Sequence, residues 1–458
     1  MNRRLFLRDS AIVSLGFMGL LSCRATFRDQ QQSGAALFGL SNDPEAYLDL
    51  PPGFSYRVIS RVGTNMSDGF LVPGRPDGMG TFQREDGKVI IVRNHENSPE
   101  SLADSPFGPA NEKLSAIDPT HLFDPGKGEL PGIGGTTTLV FDEESGEVSE
   151  EFLSLAGTYR NCAGGVTPWG SWLTCEEDVT RANGRPTEQN HGFVFEVPAF
   201  STGLTKPIPL KAMGRFNHEA VAVDPKSGIV YLTEDCHDGL IYRFIPNTPG
   251  KLQEGGELQA LVIQEQASLD TRNWEEPLMR EGQSWAVSWL TLDNVEAPKD
   301  DLRLRGFKAG AARFARGEGI WMGEGELYFA CTNGGPDKFG QIFRYTLSPH
   351  EGTSREMKKP GHLELFMESH DKTVLHMCDN LTIAPNGDIF VCEDNGKLNR
   401  IHHISKEGQI TPFAINRSSD SEFAGVVFSP SGKTLFVNIQ ENGETLAITG
   451  PWEDIFVA

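Results

Sequence analysis

The chain repeats one phrase of apolar and polar positions six times. A short apolar segment runs into a turn closed by Gly, one residue follows, and a β-rich segment ends on polar residues. The copies are Asp86-Gly87-Lys88 before residues 89–92, Trp169-Gly170-Ser171 before 172–174 and Ser227-Gly228-Ile229 before 230–232. Glu324-Gly325-Glu326 before 327–329, Asn386-Gly387-Asp388 before 389–391 and Ser431-Gly432-Lys433 before 434–437 complete the set. Gly in a tight turn between two apolar runs marks a β-hairpin. More strand material follows in most copies, as at 239–244 and 340–345. Six four-stranded units of this kind predict an all-β chain folded as a six-bladed β-propeller with long inter-strand insertions, a ring that leaves few exposed edges. A pair of β-sandwiches is the rival fold. The insertions are expected around residues 100–130 and 250–310. An early strand, 54–60, is expected to complete the last blade beside 445–448.

Length and composition agree with many short strands. The 458 residues suffice for one large repeat-built domain, and 50 Gly with 28 Pro supply the turns. With 41 Lys and Arg against 63 Asp and Glu, the net charge is −22. Such a chain repels nucleic-acid backbones and anionic lipid. It also repels anionic substrates unless bound cations invert the local field.

The N-terminus reads as an export signal over residues 1–23, followed by a linker over 24–50 and the propeller over 51–458. Arg3-Arg4 with Leu5-Phe6-Leu7 precedes an apolar run, 11–21, too short to span a bilayer, and resembles a twin-arginine signal. Leu20-Leu21-Ser22-Cys23 resembles a lipoprotein cleavage box, so Cys23 is a candidate lipid anchor and the only expected membrane attachment. The expected location is the periplasm or cell surface, and the expected state a monomer. Cys175, Cys331 and Cys392 occupy similar offsets in different hairpins. Equivalent positions of different blades lie too far apart for disulfides, so these cysteines read as small buried apolar residues.

One polar residue per unit recurs seven to ten positions before the hairpin Gly: Asp77, Cys162, Glu219, Glu318, Asp379 and Glu422. The first strand of each blade lines the central channel, so these residues are expected to converge at one mouth. Singly, such residues commonly cap turns. Together, five carboxylates and a thiol repel one another unless they protonate or a cation cluster neutralises them. Oxygen ligands suit calcium, and a thiolate in the ring argues for a transition ion such as iron. A second set follows the hairpin, where the next strand returns to the same face. Glu96, Glu176 and Asp394 are its candidate metal ligands, and Asn395 is a candidate donor to a bound anion.

Asn161-Cys162-Ala163-Gly164-Gly165-Val166-Thr167-Pro168-Trp169-Gly170, Gly214-Arg215-Phe216-Asn217-His218-Glu219-Ala220 and Asp379-Asn380-Leu381 resemble the PhoX-type alkaline phosphatase family. The resemblance runs from about Pro51 to Trp452. It implies a six-bladed propeller, a cofactor of ferric iron (Fe3+) and calcium (Ca2+), twin-arginine export and hydrolysis of small phosphomonoesters. By the same resemblance Cys162, Glu219, Glu318 and Asp379 are metal ligands and Arg316 contacts phosphate. Gly317 stands where the family carries Pro, which is expected to loosen the backbone that aims Arg316. Two other readings compete. A gluconolactonase-like propeller hydrolase uses one divalent ion and no Cys162, and a non-enzymatic exported binding module uses metal only for stability.

Overall fold

The computed structural model describes residues 39–182 and 186–456. Six repeat units, here blades 1 to 6, are antiparallel and stand around one axis. Blade 1 is Pro76–Gln83, Val89–His95, Gly134–Asp142 and Glu147–Thr158, and blade 2 is Asn161–Val166, Ser171–Glu176 and Val194–Pro198. Blade 3 is His218–Val223, Val230–Glu234, Ile241–Pro246 and Gly256–Ile263. Blade 4 is Gly317–Met322, Glu326–Cys331, Gln341–Thr346 and His362–Glu368. Blade 5 is Cys378–Ile383, Ile389–Glu393, Arg400–Ile404 and Ile410–Asn416. Blade 6 takes Phe423–Phe428, Thr434–Ile439 and Glu444–Thr449 from the end of the chain and Ser55–Arg61 from its beginning. The first strands of the blades neighbour one another in a closed cycle, from blade 1 round to blade 6 and back to blade 1. An added strand, Ser284–Thr291, pairs with both Gly256–Ile263 and His362–Glu368 and so joins blades 3 and 4 into one nine-stranded sheet.

The second strands explain the unbroken apolar runs of the repeat. Val89 and Ile91 pack with Val427 and Phe436 of blade 6, while Ile90 and Val92 pack with Trp172 and Phe195 of blade 2. Both faces of a blade are buried, so polar alternation disappears. All six hairpin glycines sit at positive φ, between 71° for Gly432 and 92° for Gly387, a region that costs other residues strain. Cys175, Cys331 and Cys392 are free and buried in three different inter-blade cores.

The first and last described strands meet at blades 5 and 6. The expected linker ends earlier than residue 50, because Leu48–Asp49 already pairs with the outer strand of blade 5. The expected insertion over 250–310 is partly regular: it holds the outer strand of blade 3, the joining strand and the helix Leu302–Ala309. The expected signal and Cys23 lie outside the described residues. No described helix is long and apolar enough to cross a membrane. Beside the closing strand, Trp452 stacks on Phe413 and meets Phe54, Phe390 and Phe428 edge-on, and its Nε1 donates to the Lys433 carbonyl at 2.8 Å. Trp452→Ala is expected to cost about 3–5 kcal/mol in urea unfolding, since it empties this lock, while metal content stays at the wild-type value.

Candidate metal centre

Five of the six first strands carry the same irregularity at the same place. Pro76 pairs with His95 and Met79 with Arg93, so three steps on the inner strand match two on its partner. The same bulge recurs over Cys162, Glu219, Glu318 and Asp379. A bulge bends the strand and re-aims one side chain, and here it turns Asp77, Cys162, Glu219, Glu318 and Asp379 onto the axis. Blade 6 differs. Its bulge falls at Gly425 and Val426, and it reaches the axis through Glu422, just before its first strand. The second bulge residues are mostly small: Gly78, Ala163, Ala220 and Gly319. A Cβ on Gly78 would meet Ala163 Cα at 2.5 Å, so small side chains let the strands close beneath the acids as a floor.

Above that floor lies a cavity of about 240 Å³. Asp77, Glu96, Glu177, Glu219, Asp235, Glu318, Asp379, Asp394 and Glu422 line it, with Cys162, Gln440 and three arginines, Arg75, Arg160 and Arg316. The second tier obeys one rule. The residue just past the second strand faces the axis: Glu96, Glu177, Asp235, Asp394 and Gln440 in five blades. In blade 4 it is Thr332, whose hydroxyl donates to Glu318 Oε1 at 2.9 Å.

Two expected residues lie elsewhere. Glu176 is the last residue of its strand and points away from the axis. It is buried and accepts from Tyr159 N–H at 3.0 Å, Gly192 N–H at 2.9 Å and Phe193 N–H at 3.2 Å, and lies 2.6 Å from His191 Nδ1. Its neighbour Glu177 takes the axial place, because successive side chains of a strand point to opposite faces. Asn395 is corrected by the same parity. One residue past Asp394, it turns back to donate to Glu393 Oε2 at 3.3 Å and the Leu398 carbonyl at 3.0 Å. The remaining expected residues, Cys162, Glu219, Glu318, Asp379, Glu96, Asp394 and Arg316, all line the cavity.

Arg75 and Arg160 were not among the expected site residues. A signal for the arginines exists in Arg75-Pro76-Asp77-Gly78, Arg160-Asn161-Cys162-Ala163 and Arg316-Gly317-Glu318-Gly319, where Arg precedes the axial residue by two. All three arginines have positive φ, 44°, 44° and 53°, a strained conformation for a residue with Cβ. Arg316 donates through Nε and Nη2 to the Asp235 carboxylate at 2.7 and 2.8 Å and reaches Glu318 at 2.8 Å. Its N–H donates to the Cys236 carbonyl at 2.9 Å and its carbonyl accepts from Thr332 N–H at 3.1 Å. Arg316 is thus held through both its side chain and its backbone, with Gly317 following it. A Cβ there would come within 3.3 Å of Thr233 Cβ, so the backbone is tightly seated. Arg160 bridges Glu96 at 2.7 Å and Glu177 at 2.5 Å, and Arg75 reaches Glu96 at 2.9 Å.

Nine carboxylates face three guanidiniums here, and burial, with the excess of negative charge behind it, raises the shifted acids. Burial, reinforced by neighbouring acids, holds Asp77, Glu219, Glu318 and Glu422 well above the usual carboxylate range. Burial and then Asp394 push Asp379 up to about 7, and burial and then Asp235 push Glu177 up to about 8. Burial and then Glu177 raise the Cys162 thiol, whose Sγ lies 3.0 Å from Glu177 Oε2.

The donor set fits multivalent cations. Four groups have ligand atoms within 4.8 Å of one another: Asp77–Glu96–Cys162, Cys162–Glu177–Glu219, Glu219–Glu318–Asp379 and Asp379–Asp394–Glu422. Consecutive groups share Cys162, Glu219 and Asp379, so they form an arc of adjoining sites. Gln440 is buried beside the first group with its Oε1 unpartnered, an amide oxygen of the kind calcium takes. Oxygen-rich groups suit calcium, and the groups containing Cys162 suit a softer ion.

One family model, described as Alkaline phosphatase PhoX, matches residues 38–144 and 110–443. No curated protein matches the chain in sequence. Among solved structures, a gluconolactonase from Xanthomonas campestris is similar at 12% identity over 88% of this chain and 98% of that one, with a TM-score of 0.40. A virginiamycin B lyase from Staphylococcus aureus is similar at 10% identity over 86% and 99%, with a TM-score of 0.40.

Proposed function

The chain belongs to the PhoX alkaline phosphatase family, and from that premise we propose that it hydrolyses phosphomonoesters with iron and calcium held on the propeller axis. The observation that carries this reading is the arc of four adjoining ligand groups around one narrow cavity. Cys162, with Glu177 and Glu219, would hold iron. Asp77 and Glu96, backed by Gln440, offer their oxygens to calcium beside Cys162, and Asp379, Asp394 and Glu422 form the oxygen-only end of the arc. When bound, these cations supply the positive charge that draws in a phosphoryl group and stabilises its oxygens during in-line displacement.

The side chains do the rest. Arg316 already spends Nε and Nη2 on Asp235 and Glu318, which fixes its plane and leaves Nη1 to donate to a non-bridging oxygen of the substrate. Arg160 and Arg75 stand at the equivalent place in blades 2 and 1, so three guanidiniums ring the opening. A cavity of about 240 Å³ suits a phosphoryl group and a small ester, and a net charge of −22 disfavours nucleic acid. The reading includes export to the periplasm or cell surface through the N-terminal segment, an optional lipid anchor at Cys23, and action as a monomer.

The test is metal analysis of protein purified from its own host, followed by hydrolysis of p-nitrophenyl phosphate. Iron with calcium, and turnover that stops on chelation and returns with both metals, is the expected result. Protein that holds both metals and is inert toward several esters overturns the phosphatase reading. A single divalent ion without iron favours the gluconolactonase-like alternative.

A further inference from the structure

In blades 2, 3 and 5 the second strand ends at a pair of acids: Glu176-Glu177, Glu234-Asp235 and Glu393-Asp394. The second acid of each pair faces the axis, and the first is completely buried on the opposite side of the strand. A buried carboxylate is costly unless it is paired and hydrogen-bonded, and an apolar replacement is often no less stable. Glu176 and Glu393 are partnered at both oxygens, and Glu234 accepts hydrogen bonds at Oε2 alone, its Oε1 being without a hydrogen-bond partner. Glu176 takes three backbone N–H groups and His191, whose other ring nitrogen lies 3.2 Å from Asp124. Glu234 accepts from Tyr242 Oη at 2.6 Å and Leu240 N–H at 3.1 Å, with Arg303 Nη1 at 3.8 Å. Glu393 accepts from Arg400 Nε and Nη2, both at 2.7 Å, from His376 N–H at 2.7 Å, and lies 3.0 Å from His402 Nε2.

Tyr242, Arg400 and His402 stand on the third strands of blades 3 and 5, whereas His191, Asp124 and Arg303 come from the segments that decorate the propeller. Asp124 belongs to the loop over 96–133, and it also accepts from Gly126, Glu188 and Gln189 N–H at 2.8–3.0 Å. Arg303 lies on the helix of the insertion between blades 3 and 4. Arg400 also holds the loop before blade 5 through the Lys372 and Thr373 carbonyls. The anchored N–H groups belong to Tyr159 and His376, which stand one residue before Arg160 and three before Asp379. In blades 2 and 5 the first acid thus fixes both its own strand end and the segment leading into a bulge, while in blade 3 Glu234 anchors Leu240, just before the third strand.

We infer that Glu176, Glu234 and Glu393 are positioning residues that aim Glu177, Asp235 and Asp394, and that the long insertions clamp the metal centre from outside. This rests on the reading that the axis holds cations. It assigns the insertions a task in pre-organisation, because without the clamps the acids would spread apart under their own repulsion.

The test uses the full chain and conservative variants that each loosen one clamp: His191→Gln, Tyr242→Phe and Arg400→Lys. Arg243→Lys is the control, since Arg243 holds Glu351 and Glu356 in a comparable buried cluster away from the axis. Three quantities are read: iron retained, calcium affinity by titrating Ca2+ into chelator-treated protein, and melting temperature with and without calcium. Arg400→Lys, which loosens the calcium ligand Asp394, is expected to bind calcium about 10- to 100-fold more weakly and to show a narrower gap between the two melting temperatures. His191→Gln, which loosens Glu177, is expected to retain less iron, and Tyr242→Phe, which loosens Asp235 beneath Arg316, to show the smallest calcium effect of the three. The control is expected to lower both temperatures equally and to keep its affinity. Clamp variants that behave like the control overturn the inference, and Glu234→Gln and Glu393→Gln repeat the comparison should any of them fold poorly. A wild-type chain that takes up no calcium and shows no gap overturns the underlying metal reading, and this inference with it.

Discussion

Glu219→Gln and Cys162→Ser are expected to lower kcat for phosphomonoester hydrolysis by about 10²- to 10³-fold, the scale of several kcal/mol of lost charge stabilisation. Position is the reason. Cys162 belongs to the first and second ligand groups, and Glu219 to the second and third. Losing either shared donor damages two adjoining sites, whereas Glu422 belongs to the last group alone. Mass spectrometry of bound metal should therefore show a larger loss for Glu219→Gln than for Glu422→Gln. Equal losses would mean that the groups do not share ions. Full activity in Cys162→Ser would remove the thiolate from the chemistry. A wild-type protein whose variants change only in stability, with no turnover to lose, would be a metal-stabilised binding module.

Metal-free protein is expected to lose stability steeply as pH rises from 5 to 8. Burial and mutual repulsion raise Asp379 to about 7 and Glu177 to about 8, and they raise Asp77, Glu219, Glu318 and Glu422 as well. These folded-state values lie above those of the unfolded chain, near 4 for carboxylates. Between the two, the folded state binds more protons, so stability falls as pH rises. The stability is fully present below about pH 4 and is lost as pH passes through 7 to 8, a loss on the order of several kcal/mol across the cluster. Bound cations replace the protons, so holoprotein should show little of this slope. Thermal melts in chelator at pH 5, 6, 7 and 8 check the claim. A flat profile for metal-free protein would mean that the acids are neutralised by the three arginines alone.

The axial residues of the first tier were legible because the hairpin and its bulge recur at nearly the same offset from unit to unit. A hairpin Gly fixes the turn, and counting back along a strand of known rise finds its entry. The second tier was legible only to within one residue. Glu176 and Glu177 are both acidic, both sit at a strand end, and composition cannot decide which one the chain turns inward. Asn395 failed in the same way beside Asp394. Arg75 and Arg160 were overlooked although each stands two residues before its axial residue, because what places them over the mouth is a positive φ that a non-glycine residue type does not announce.

What the residues determined by themselves was therefore the repeat: six turns, apolar runs buried on both faces, and one axial polar group per blade. These follow from local chemistry, in which Gly accepts a left-handed turn and side chains alternate along a strand. The tertiary structure decided the rest. It chose which of two adjacent acids meets the axis, which groups share a donor, and which insertion grips which strand end. Those outcomes depend on the bulge in each first strand and on contacts between segments more than fifty residues apart, such as Asp124 with His191 and Thr233 with Glu318. Separations of that kind have no periodicity for a linear pattern to reveal.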